Sequence, residues 1–189
     1  GSITLVNLDY GKVLFKKDVK LDELEVLQPK ILVSVMKSDT TEENRPLHET
    51  AKGFLNGLAI GKINVRQASL HYRNSTSTDT IFSVLRLQLF VDDFKLDSAS
   101  FVAKERSYYA RQYKLKAVNS SYNFTDGTYS VLSDSITVDT KTGELAVHKI
   151  TLKPLLEPAA MARAKDQAVT HQEIKVNQVK ANGIDFGKH

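Results

Sequence analysis

The stretch Ile60-Gly61-Lys62-Ile63-Asn64-Val65-Arg66-Gln67-Ala68-Ser69-Leu70-His71-Tyr72-Arg73-Asn74 decides how this chain folds. Apolar side chains fall at Ile63 and Val65, two polar residues intervene, and the apolar series resumes at Ala68, Leu70 and Tyr72. Neighbouring side chains of a strand point to opposite faces, so a period of two marks one buried face. A slip of one residue would turn the second half outward, unless a bulge or bend restores the face. The same slip recurs at Ile3, Leu5, Leu8 and Tyr10, and again at Val19, Leu21, Leu24 and Val26. Leu89, Val91, Phe94 and Leu96 repeat it, as do Leu145, Val147, Ile150 and Leu152, and Ile174, Val176, Val179 and Ala181. The pattern predicts bent strands that share one apolar face.

Turn signals sit between these segments. Asp139-Thr140-Lys141-Thr142-Gly143 reads as a hairpin loop with Gly143 at a positive-φ position, and Asp126-Gly127 reads as another. A polar loop spans residues 74–79, and Pro29 marks the start or edge of the strand carrying Ile31, Val33 and Val35. Two segments have helical character. Residues 41–56 carry one apolar stripe that ends before Gly57, and Pro158 to Lys165 is short and Ala-rich with Pro158 near its first position. No strand–helix–strand alternation appears. The expected architecture is mainly β: a coiled antiparallel sheet or half-barrel of bulged strands, with two short helices, in a single domain over residues 3–189. Gly1-Ser2 reads as the remnant of a cleaved tag.

Composition narrows the function classes. The 189 residues are 41% hydrophobic and 25% charged, which excludes a disordered tail. There is no Cys, hence no disulfide framework and no thiol nucleophile. A net charge of +4, with a pI near 9.1, suits an anionic surface without requiring one. The densest basic stretch, Lys104 to Lys116, interleaves cations with tyrosines as a nucleic-acid site would. Tyr113 and Leu115 alternate with Lys114 and Lys116, however, so a half-buried strand accounts for it and no nucleic-acid partner is expected.

Chemistry-bearing motifs are sparse. The five histidines, His48, His71, His148, His171 and His189, are not paired at metal-ligand spacing. No G-x-S-x-G elbow and no phosphate-binding loop occurs. Asp92-Asp93 is an adjacent carboxylate pair in a strand-rich stretch, but it falls on a phase slip, where an exposed bulge explains it. The reading is a non-enzymatic protein with no cofactor and no metal.

A resemblance adds to this. Ile60 through Asn74 looks like the repeat of AsmA-like Gram-negative envelope proteins, in which a hydrophobic-x-hydrophobic pair, two residues, and a small-x-hydrophobic-x-Tyr series recur along a β-sheet. Leu21 through Ile31 resembles the accompanying L-x-x-L-x-V-x-x-P-x-I segment, and Gly143 through Pro154 and Val176 through Phe186 are similar to later units. The resemblance touches about half the chain. It implies a periplasmic or cell-envelope location, a membrane anchor in the full-length protein, and a β-groove for phospholipid or another envelope component. Other envelope proteins are implied as partners, and the family offers no catalytic residues to carry over. The apolar lining candidates are Ile63, Val65, Leu70, Tyr72, Leu85, Leu87, Leu89, Leu145, Val147, Ile150 and Leu152. The alternative is a cell-surface β-sandwich module binding a glycan or protein partner through exposed Tyr108, Tyr109, Tyr122 and Tyr129.

Overall fold

The computed structural model describes residues 1–35, 45–74, 80–166 and 171–187. The alternating segments form strands: β1 Ser2–Val6, β2 Asp18–Leu27, β3 Lys30–Val35, β4 Gly57–Asn74, β5 Thr80–Lys95, β6 Gln112–Asn123, β7 Tyr129–Asp139, β8 Glu144–Pro154 and β9 Ile174–Ala181. Helices are α1 Tyr10–Lys16, α2 Leu47–Ala51, α3 Ser98–Val102 and α4 Pro158–Lys165. All the strands belong to one open sheet in the order β1-β2-β4-β5-β6-β7-β8-β9, with β3 beside β4, and the sheet does not close into a barrel. The mainly β expectation holds.

Strand direction is where the sheet departs from a purely antiparallel one. β2 and β3 both run parallel to β4, while every other pairing is antiparallel. β4 has 18 residues and outreaches either neighbour, so β2 flanks its first part and β3 its second. The chain breaks between them at Gln28-Pro29, where Gln28 N–H donates to the Arg66 carbonyl and the Pro29 carbonyl accepts from Ser69 N–H. A parallel return needs a long crossover, which the connection over residues 36–56 supplies.

The helices also exceed the expected pair. β1 stops at Val6, and Leu8 and Tyr10 turn into α1 instead of prolonging a strand. The cause is Asp9, whose Oδ1 accepts from Lys12 N–H at 3.1 Å and caps the first turn. Asp97 does the same for α3, accepting from Ser100 N–H at 2.6 Å. Only Leu47–Ala51 of the helix expected over residues 41–56 is helical among the described residues. Residues 41–44, and residues 75–79 of the expected loop, lie outside the described residues. α4 has the expected bounds, with Pro158 in its first turn.

The phase slips have a backbone signature. Asn7, Gln67, Asp93 and Lys149 each occupy the second slip position and have φ between 50° and 55°. Asn119, with φ 55°, marks a slip the apolar spacing hides, because serine occupies the next inward position, Ser120. A left-handed residue reverses the pleat locally, so the next side chain returns to the earlier face. These positions line up across strands. One line joins Asn7, Asp22, Gly61 and Asp93: Asn7 Nδ2 donates to Asp22 Oδ2 at 2.7 Å, and a Cβ on Gly61 would lie 2.6 Å from the Asp22 carbonyl oxygen. A second runs through Asn119, Asp134 and Lys149, with Lys149 Nζ 2.8 Å from Asp134 Oδ2, while Gln28 and Gln67 form a separate left-handed pair between β2 and β4. The expected slips at Leu21–Leu24 and Val176–Val179 carry no positive-φ residue. The two lines crease the sheet transversely.

Candidate functional site

Strand registry tests the shared apolar face directly, because residues opposite one another in a ladder point the same way. Val26, Val65, Leu89, Leu115, Val138, Leu145 and Ala181 form one continuous row from β2 to β9. Leu24, Ile63, Val91 and Tyr113 form the next row on one side. Ala68, Leu87, Ala117, Ile136, Val147 and Val179 form the next on the other. Leu70 opposes Val84, Ile150 opposes Val176, and Val33, Tyr72, Phe82, Tyr122, Val131, Leu152 and Ile174 make the outermost row. Of the expected lining, Ile63, Val65, Leu70, Tyr72, Leu87, Leu89, Leu145, Val147, Ile150 and Leu152 therefore share one face.

Leu85 does not. β5 sets Leu85 and Arg86 against the single residue Ser69 of β4, between the pairs Ala68–Leu87 and Leu70–Val84. That bulge puts Val84 on the apolar face, 1% exposed, and turns Leu85 away, 56% exposed. The regular spacing Leu85, Leu87, Leu89 conceals the slip that Phe82, Val84 and Leu87 would have revealed.

The apolar face is open along its middle. Among the described residues no second sheet lies over it, so the sandwich alternative lacks its other layer. The central lining residues are half-buried, and the accessible surface totals 12890 Å². A compact monomer of 21.1 kDa would expose about 9,000 Å². The face is buried again around Val84, Ala117, Ser120 and Ser133, and it is sealed at the end where β4 begins and β5 finishes. There Leu21, Ile60, Leu96, Tyr109 and Ala110 are buried, and His48 of α2, Phe101 of α3, Phe94 and Tyr109 form an aromatic cluster. The Tyr109 hydroxyl accepts from His48 N–H at 3.2 Å and lies 2.9 Å from His48 Nδ1, tying α2 to this cap. The tyrosines do not gather on one outer face: Tyr109 is buried here, and Tyr122 and Tyr129 meet Phe124 elsewhere.

A concavity of about 960 Å³ lies on the opposite, polar face. Its walls are two registered rows: Asn64, Phe90, Lys114, Asp139 and Glu144 on one side, and Gln88, Lys116, Thr137, Ala146 and Lys180 on the other, where Arg66 joins them. Val65, Leu89, Leu115, Val138 and Leu145 line it too, but they sit between those rows, with side chains on the apolar face and backbone on this one. None of the flanking apolar rows takes part. The trough lies between the two crease lines, and His148, hydrogen-bonded to Gln178, stands at its edge. The expectation of a groove lined by the apolar set thus meets two separate features: an open apolar face and a polar trough behind it.

Electrostatics differ between the trough and the capped end. In the trough, Lys114 Nζ lies 3.3 Å from Asp139 Oδ2, and Arg66 Nε lies 3.4 Å from Glu25 Oε1. Burial pushes the Asp139 carboxyl up, but hydrogen bonds from Gln112, the Lys141 backbone and Lys114 outweigh it and hold it below the usual carboxylate range. Beside the cap, Asp93 is clamped by Arg106 at 2.6 Å, Arg111 at 2.9 Å and Lys95 at 3.5 Å. Burial again pushes this carboxyl up, and Arg106 with its two companion cations brings it below its ordinary value. Asp92-Asp93 thus falls on a slip as expected, but Asp93 is saturated by cations rather than simply exposed. Among the described residues, no group of three His, Asp or Glu side chains is placed to hold a metal ion, and every buried side-chain polar atom has a partner. No helix among them is long and apolar enough to cross a membrane.

No protein-family model, curated protein or solved structure matches the chain. The AsmA-like resemblance therefore rests on the motifs alone. The trough was not legible in the sequence, because its walls come from polar positions that look like ordinary solvent-facing residues until registry sets them side by side.

Proposed function

We propose that this protein is a non-enzymatic envelope module whose open apolar sheet face takes the acyl chains of a phospholipid, in the manner the AsmA-like resemblance implies. The observation that carries the reading is the unbroken registered apolar row from Val26 to Ala181, only half-buried and with no second sheet over it among the described residues. Soluble monomers rarely leave contiguous apolar patches of more than a few hundred Å² uncovered, and larger ones mark binding surfaces. The cap formed by α2, α3 and Tyr109 closes one end of this face, which suits a surface that holds a ligand along the sheet. A periplasmic location and a membrane anchor in the full-length protein belong to the same proposal.

Native mass spectrometry of gently purified protein, followed by organic extraction, tests it. The expected result is co-purifying phospholipid, released when solvent denatures the sheet. Lipid-free protein that also fails to take up phospholipid from vesicles contradicts it.

A further inference from the structure

From the polar trough we infer a second, independent binding site, which takes an anionic oligosaccharide on the face opposite the acyl-chain surface. The trough holds the cations Arg66, Lys114, Lys116 and Lys180 against the carboxylates Asp139 and Glu144, with Glu25 paired to Arg66, an excess of one positive charge. Lys114 and Arg66 are already engaged by carboxylates, whereas Lys116 and Lys180 have no ion-pair partner among the described residues. They occupy one row, separated only by Thr137 and Ala146, whose short side chains leave the floor between them low. Three strand spacings put their backbones about 14 Å apart, so a ligand touching both carries anionic groups repeated along its length.

The rest of the wall selects the ligand class. Gln88 and Thr137 stand beside the cations in the row of Arg66, Lys116 and Lys180, and their amide and hydroxyl groups suit the hydroxyls of a saccharide. A phosphate-dense polymer carries more negative charge than the trough's small cation excess can balance and meets repulsion from Asp139 and Glu144, whereas a saccharide with widely spaced anionic groups does not. Phe90 is half-buried in the facing row, an apolar platform on an otherwise polar wall. A volume near 960 Å³ lies at the upper end of ordinary ligand sites.

Calorimetric titration with an oligogalacturonate tests the site, with its neutral methyl ester as control. The wild-type chain binds the acid form and not the ester. The Lys116→Ala/Lys180→Ala double variant binds about tenfold more weakly, and Ala146→Glu, which puts a carboxylate on the floor, abolishes binding. Both lysines are exposed, so circular dichroism of the double variant matches wild type. Absence of binding by wild type, or equal binding of acid and ester, overturns the inference. So does flotation on phosphatidylglycerol vesicles that the double variant loses, because that outcome makes these lysines a membrane contact. Phospholipid co-purification reports on the other face and is unchanged in the double variant.

Discussion

Gln28 Nε2 donates to Gln67 Oε1 at 2.9 Å, joining two residues in the left-handed region, φ 52° and 53°, on adjacent strands. One ends the parallel partner β2, and the other creases β4. Neither residue type favours this conformation, which costs about 1–2 kcal/mol for a non-glycine residue. Their amides meeting across the ladder helps to fix the crease where Pro29 interrupts the edge.

The crease makes a stability prediction. Gln67→Gly removes the left-handed penalty and leaves stability unchanged or higher, despite losing the amide contact. Gln67→Val, β-branched, lowers it by about 2 kcal/mol. Lys149→Asn behaves like the glycine change at its own crease. Urea denaturation midpoints read all three.

Gly61 lies on the other crease for a steric reason. Its added Cβ would meet the Asp22 carbonyl oxygen at 2.6 Å, so Gly61→Ala forces β2 and β4 apart. The expected loss is about 1–3 kcal/mol, read by thermal unfolding.

Legibility follows from these creases. Period two, interrupted by slips, located nearly every strand, since side-chain alternation and burial are local properties. Asn7, Gln67, Asp93 and Lys149 sit where the slips placed them. The slip at Asn119 stayed hidden because its inward neighbour is Ser120, and the one beside Leu85 because three leucines happened to alternate through it. The parallel pairing of β2 and β3 was illegible too, since direction depends on how the chain returns after residue 36. The short helices α1 and α3 begin at aspartate caps, where an apolar count sees only another polar position.

Asp93 ties the cap to the sheet. Asp93→Asn keeps the left-handed backbone, which Asn tolerates, and removes the charge that Arg106 faces with its side chain 7% exposed. Stability falls by about 3 kcal/mol in urea denaturation at neutral pH.

The same carboxylate sets an acid response. Its folded pKa lies below the unfolded value of about 3.9, as does that of Asp139. The stabilisation is complete above the unfolded value and is lost as pH falls through the lower folded values. The melting temperature of Asp93→Asn should therefore converge on that of wild type in strong acid, while the two stay apart at neutral pH.

Ser120 and Ser133 are buried partners on the apolar face, hydroxyl to hydroxyl. Either serine changed to alanine strands the other hydroxyl and costs about 1–3 kcal/mol, whereas the double alanine variant recovers most of that. A double-mutant cycle measures the coupling.

The central claim is that acyl chains lie on the apolar face and not in the polar trough. The chain has no Trp, so a single reporter can be placed on either side of the sheet. Leu115→Trp reports from the apolar face, and Lys116→Trp, one residue on, reports from the trough. With phospholipid brominated on its acyl chains, fluorescence should be quenched at position 115 and unaffected at position 116. Equal quenching at both positions, or none at 115, contradicts the account.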